Sequence, residues 1–82
     1  MDVEMKVADF VMRHLLARAD RTAVARDESL IAGGLLDSLA VVELTTFVED
    51  AFGVKVEDEE VVPANFETIQ RIAEFIARKR EN

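Results

Sequence analysis

With 82 residues and a formal net charge of −7, the chain is expected to form one small domain over residues 1–82. It contains no cysteine, which excludes disulfides and thiolate metal sites, so any thiol chemistry must come from a cofactor. Residues 38–67 hold eight Asp or Glu and one Lys, a surface that disfavours nucleic acid and favours a basic protein partner. An acidic surface that only keeps the protein soluble remains an alternative. We find no apolar run typical of a signal peptide or membrane span, and we expect a soluble cytoplasmic protein.

The first predicted helix spans about Asp2 to Ala19. His14 lies on it and is the only histidine, with no cysteine or second histidine to complete a transition-metal site. We therefore expect His14 to be structural rather than catalytic. One face of this helix repeats at three- and four-residue spacing: Val3, Val7, Phe10, Val11, His14, Leu15 and Arg18.

A long connection over residues 20–37 follows. Gly33 and Gly34 interrupt helical periodicity, whereas Leu30 and Leu35 are apolar and suggest that the loop folds back over the core. A loop of this length in a small domain is usually functional. We expect it to be a flexible approach to the next helix.

The second predicted helix runs from Ser38 to Phe52 and ends at Gly53, a residue suited to the left-handed position after a helix. Leu39 and Val42 are apolar but fall beside Ser38, outside the predicted core face. Single apolar residues on a protein surface are common and need no function. We interpret Leu39 and Val42 instead as part of a surface that partner proteins recognise. At 100° per residue the core face comprises Ala40, Val41, Leu44, Phe47, Val48, Ala51 and Phe52.

After Gly53, the sequence predicts a short extended segment at residues 54–56. A short helical turn is predicted to open at residues 57–60. Pro63 and Asn65 are expected to end that turn, and Phe66 to anchor in the core. The last helix is predicted from Glu67 or Thr68 to about Arg80, with Phe75 at the edge of an inner face formed by Ile69, Ile72, Ala73 and Ile76. The fold class is therefore all-α, with three longer helices, one short helix and a long loop between helices 1 and 2.

Three kinds of chemistry can be considered for Ser38. A nucleophilic serine needs a nearby general base, and no Gly-x-Ser-x-Gly motif surrounds this one. Asp37 and Ser38 are both good N-cap residues, which would explain them without any function. A modification site is the third interpretation, because the N-terminus of a helix favours a phosphate group. No catalytic residue and no metal site are predicted.

The segment Asp37-Ser38-Leu39, preceded by Gly34-Leu35-Leu36, resembles the attachment motif of the acyl carrier protein family, which includes peptidyl and aminoacyl carriers. The resemblance covers essentially the whole chain and implies a small four-helix bundle of that type. The segments that carry it further are Val42-Glu43-Leu44, Phe52-Gly53-Val54, residues 56–60, residues 65–69 and residues 72–76.

The resemblance implies that Ser38 carries a 4′-phosphopantetheine, transferred from coenzyme A by a phosphopantetheinyl transferase, with Asp37 and Leu39 flanking it in the cofactor-binding motif. Such a protein is not an enzyme; it presents a thioester-bound acyl or aminoacyl group to other proteins. The implied partners are a loading ligase or adenylation enzyme and a downstream acyltransferase or synthase, and we expect a free-standing monomer. The partner-binding residues that the resemblance implies are Leu39, Val42, Glu43, Thr46, Glu49 and Asp50.

Some residues depart from the pattern of fatty-acid carriers. Such carriers often have an acid two residues after the serine, where this chain has Ala40, and they have a more acidic second helix than one containing Thr45 and Thr46. Phe47 and Phe52 are expected to narrow the space between helices. These departures favour a dedicated carrier for an amino acid, a short acyl group, or a precursor of a secondary metabolite or of the cell envelope. The alternatives are a housekeeping fatty-acid carrier and, in a different class, an unmodified helical adaptor that binds a basic partner.

Overall fold

A computed structural model describes residues 3–16 and 23–81 and shows an all-helical protein, with no strand in these two ranges. This confirms the predicted all-α class. In chain order the elements are α1 (Val3–Phe10), which continues as a π-helical segment (Val11–Leu16), then α2 (Ser38–Phe52), a 3₁₀ turn (Asp58–Glu60), α3 (Pro63–Phe66) and α4 (Ile69–Glu81).

The first helical stretch packs its apolar face inward, with Val7, Val11 and Leu15 buried. His14 was predicted on the same face but is exposed, and Phe10 is only half-buried. The wider turns of the π-helical segment account for the difference, because they change the angle between successive side chains after Phe10. The predicted ends of this helix, with Arg18, lie outside the described residues.

Helix α2 has the predicted boundaries, Ser38 and Phe52. Gly53 follows in the left-handed conformation with φ of 68°, and its N–H donates to the carbonyl of Glu49. Burial fades over the last turn, where Ala51 is exposed although it was predicted on the core face. The buried centre of the helix consists of Ala40, Leu44 and Val48.

Pro63 begins α3, so the prediction that it ends a helical turn is wrong. A proline at the first helical position lacks only an N–H that would have no intrahelical partner, and its fixed φ suits a helix start. The acidic residues before it form the separate 3₁₀ turn, where the N–H of Glu57 donates to the Glu60 carboxylate at 2.9 Å. The short α3 places Phe66 in the core, as predicted.

Helix α4 starts after Thr68, whose hydroxyl accepts the N–H of Arg71 at 3.0 Å as a cap. Phe75 was expected at the edge of the inner face but is 2% exposed. The cause is α3, which brings the Phe66 ring within 5.3 Å of the Phe75 ring and covers it. The other buried residues of α4 are Ile69, Ile72 and Ile76.

The long connection folds back over the core, as predicted. Leu30 is fully buried, and its N–H donates to the carbonyl of Glu67 at 2.7 Å. The hydroxyl of Ser29 donates to the Glu67 carboxylate at 3.0 Å, and the carbonyl of Arg26 accepts the N–H of Gln70. These bonds hold the loop against the start of α4, and so they set where it delivers the chain to α2.

Candidate functional site

Ser38 is the first residue of α2, and its side chain is exposed. The preceding residue, Asp37, is extended and caps the helix: its carboxylate accepts the N–H of Ala40 at 2.8 Å. The carbonyl of Asp37 accepts the N–H of Val41 at 2.9 Å and so starts the helical ladder. The serine hydroxyl is therefore held at a well-formed helix start with open access from solvent.

The approach to Ser38 is a hydrogen-bonded turn. The carbonyl of Leu30 accepts the N–H groups of both Leu35 and Leu36, and Leu35 is buried. Gly34 has a φ of 76°, a left-handed conformation that a side chain would strain. Although the sequence suggests a flexible approach, this turn is anchored in the core immediately before the serine, which restricts where Ser38 can lie.

The start of α2 suits a phosphodiester on Ser38. The N–H groups of the first helical turn have no intrahelical acceptors, and the dipole of this 15-residue helix adds partial positive charge there. The Asp37 carboxylate accepts a hydrogen bond from one of these N–H groups, that of Ala40. The exposure of Ser38 and the polarity of the helix end both fit the attachment of a phosphate-linked group.

Two large apolar side chains flank Ser38 on the surface. Leu39 is 56% exposed and Val42 is 60% exposed. The angular interpretation of α2 placed them beside Ser38, and their exposure agrees with it. We call these two side chains the apolar rim. Because both are more than half exposed, the rim is available to contact another molecule.

The acidic residues of α2 differ in their surroundings. Glu43 is half-buried, whereas Asp50 is exposed. Glu49 accepts the N–H of the buried Val56 at 2.8 Å, so it holds the segment after α2 in place. That contact gives Glu49 a structural role; partner binding by Glu49 stays a prediction.

Two clefts flank the Ser38 side of α2. The first, which we call the first-helix groove, has a volume of about 380 Å³. The second, the α3 cleft, is smaller at about 180 Å³ and is lined by apolar residues. The first-helix groove is lined by Phe10, His14, Val42, Glu43, Thr46 and Phe47, and the α3 cleft by Ile31, Leu36, Val41, Val61, Val62, Pro63 and Phe66.

The structure thus brings Val42, Glu43 and Thr46, all predicted partner-binding residues, into one groove. It adds Phe10 and His14 from the first helical stretch, which the sequence did not assign to any site. The spacing of Phe10 and His14 predicted that they share one helical face. Their position beside Val42 results from the packing of the first helical stretch against α2.

Other kinds of site find no support in the described part of the chain. No group of three or more His, Cys, Asp or Glu in residues 3–16 and 23–81 could hold a metal ion. Within the same residues, no helix has the length and apolar character needed to cross a membrane.

Comparison with known proteins shows the family of this chain. Residues 11–76 match the family model described as "Phosphopantetheine attachment site", and the chain belongs to this family. Its members carry a covalently attached 4′-phosphopantetheine and act as carriers rather than catalysts. The chain is also 34% identical over 76 residues to a D-alanyl carrier protein of Streptococcus uberis, an alignment that covers 93% of this chain and 92% of the relative. The resemblance to acyl carrier proteins is therefore confirmed.

Proposed function

We propose that this protein is an aminoacyl carrier that bears 4′-phosphopantetheine on Ser38 and carries D-alanine. The observation that carries the proposal is the similarity over 93% of the chain to a protein named D-alanyl carrier protein. When bound, the group supplies a terminal thiol that holds the cargo as a thioester. The described residues around Ser38 suit it, because the helix end favours the phosphate and the hydroxyl is exposed.

The α3 cleft favours a small cargo over a long acyl chain. Its volume of about 180 Å³ is well below the ~300–1,000 Å³ of pockets that enclose a typical small-molecule ligand. Phe66, which lines this cleft, is 3% exposed and packs against Phe75. A fatty-acid carrier would have to open this packing, whereas an alanyl group makes no such demand.

The exposed rim beside Ser38 supports recognition by partner enzymes. Leu39 and Val42 offer apolar contact area, while Glu43, Thr46 and Asp50 offer polar and acidic groups nearby. We expect three partners to use this face: a phosphopantetheinyl transferase, an adenylating ligase that activates D-alanine, and a downstream acyltransferase. Partners with basic docking surfaces fit it best, because α2 contains no Lys or Arg.

A loading assay tests the choice of cargo. The holo protein would be incubated with ATP, a D-alanine-activating ligase and either D-alanine or L-alanine, and its intact mass measured. A parallel reaction would supply a medium-chain fatty acid and a fatty acyl–carrier ligase. The Streptococcus uberis relative is the positive control, and Ser38→Ala is the negative control.

We expect a D-alanyl adduct that hydroxylamine removes, with little fatty acyl product. Efficient fatty acylation without D-alanylation, under conditions where the relative is D-alanylated, would overturn the proposed cargo and favour the fatty-acid alternative. An adduct on the Ser38→Ala variant would overturn the proposed attachment.

A further inference from the structure

A separate cleft lies at the opposite end of α2 from Ser38, and we call it the basic cleft. Its volume is about 420 Å³. It forms where the C-terminal ends of α2 and α4 come together, so about 21 Å of helix, at 1.5 Å per residue, separates it from the serine. The residues that line it are Phe52, Gly53, Val54, Lys55, Lys79 and Arg80.

Cations reach this cleft from three segments of the chain. Lys55 belongs to the segment after α2, Arg80 to the end of α4, and Lys6 to α1. The ring of Phe52 lies between two of them: the Lys6 ammonium is 6.0 Å and the Arg80 guanidinium 5.9 Å from its centroid. Cations at this distance are attracted to an aromatic ring. The helix dipole accounts for Arg80, at the end of α4, but not for Lys6, in the middle of α1.

Most of the positive charge at this cleft is not neutralised by the protein itself. Lys6, Lys55 and Arg80 are exposed, and no ion pair within residues 3–16 and 23–81 includes them. Lys79 differs, because its ammonium contacts both oxygens of the Glu60 carboxylate at 3.0 Å. Three positive charges are therefore concentrated at one end of a chain whose net charge is −7.

We propose that the basic cleft binds a short acidic segment of a partner protein. Carboxylates of the segment pair with Lys55 and Arg80, and the half-buried Phe52 and Val54 add apolar contact area beside them. Because the cleft is remote from Ser38, this partner stays bound while an enzyme acts on the arm at the other end of α2. The inference does not depend on which cargo the arm carries.

The surroundings of the cleft favour a narrow occupant. Glu57 and Glu81 are exposed and lie within two residues of Lys55 and Arg80 along the chain. A membrane or a nucleic acid presents a broad anionic surface, which these carboxylates would repel. A peptide segment can place its carboxylates against the cations alone, so an acidic protein segment fits the cleft better.

A peptide titration of the full chain, labelled with ¹⁵N, tests this assignment. The protein would be titrated with a short glutamate-rich peptide and with the same peptide in which glutamine replaces every glutamate. A parallel sample would receive vesicles of phosphatidylglycerol. Lys55→Gln and Arg80→Gln each remove one charge from the cleft. The matched control is Arg71→Gln, which removes one charge from an exposed position elsewhere on α4.

We expect saturable shifts at the amides of Gly53, Lys55 and Arg80 with the glutamate peptide only, and none at Ser38. Each cleft substitution should weaken binding by about two- to fivefold, as expected for an exposed ion pair, whereas Arg71→Gln should leave it nearly unchanged.

The absence of saturable shifts, equal binding of the glutamine peptide, or equal weakening by Arg71→Gln would overturn the inference. Shifts centred on Ser38 would also overturn it, because the peptide would then occupy the wrong end of α2. Binding to the vesicles without binding to the peptide would replace the acidic segment with a membrane as the occupant.

Discussion

The carboxylate of Asp37 accepts a hydrogen bond from the backbone N–H of Ala40 at 2.8 Å, and Ser38 lies between these two residues. The exposed serine therefore belongs to a capped helix start rather than to the free end of a loop. The cap and the buried Leu35 hold this junction from both sides. Its geometry is what a modifying enzyme would meet.

Replacing Asp37 should destabilise this junction. We expect Asp37→Ala to lower the free energy of unfolding by about 0.5–2 kcal/mol, because the N–H of Ala40 loses its acceptor, and Asp37→Asn to cost much less. Urea denaturation of the three proteins measures this. Equal losses for Ala and Asn would show that the cap is not the cause.

Substitutions at Leu44 and Val42, two residues apart on α2, should have different effects: one on folding stability and the other on recognition by partner enzymes. Leu44 is fully buried, so Leu44→Ala should cost about 2–5 kcal/mol. Val42 is 60% exposed, so Val42→Ala should change stability by no more than about 0.5 kcal/mol while lowering the kcat/KM of the phosphopantetheinyl transferase several-fold. Denaturation and steady-state kinetics check both. A Val42→Ala protein with unchanged kinetics would remove this residue from the partner surface.

Much of this arrangement could be predicted from local sequence. The bounds of α2 follow from Asp37 before it and Gly53 after it, because capping is local chemistry. The start of α3 was missed because Pro63 suits both the end and the first turn of a helix, and only the structure distinguishes them.

Packing between distant segments was not predictable in the same way. The burial of Phe75 depends on α3, and the exposure of His14 depends on a π-helical segment that has no clear sequence signal. The first-helix groove has the same origin, since it joins residues more than 25 positions apart. Local patterns predicted that Ser38 starts α2 and that Leu39 and Val42 lie outside the core, but not that Phe10 and His14 line a groove with Val42.

Glu60 should make the protein more stable at neutral pH than in acid. The N–H of Glu57 and, after it, the ammonium of Lys79 at 3.0 Å lower the pKa of Glu60 from its ordinary 4.5. The stabilisation is therefore complete above that ordinary value and is lost as the pH falls through the lowered pKa. Glu60→Gln should be slightly less stable than the parent at pH 7, and the difference should shrink on acidification.

Unfolding curves across this pH range test the account of Glu60, with Lys79→Met as the matched variant. It should retain part of the pH dependence, because the hydrogen bond from Glu57 remains. A Glu60→Gln difference that stays constant with pH would contradict the account.

Association with basic partners should slow as salt concentration rises. The acidic groups of α2 attract such partners from a distance, and ions screen this attraction over about 10 Å at 0.1 M. Stopped-flow measurements with the transferase should show slower association at high salt and with Asp50→Asn. Glu74→Gln, an equal charge change on α4, should have a smaller effect. Association rates that do not vary with salt would rule out steering.

The most direct test of the central claim is the intact mass and peptide map after incubation with coenzyme A and a broad-specificity phosphopantetheinyl transferase. The account predicts one added phosphopantetheinyl group, located on Ser38 and absent from a folded Ser38→Ala variant. No added mass under conditions that fully modify the Streptococcus uberis relative, or modification at another residue, would contradict it.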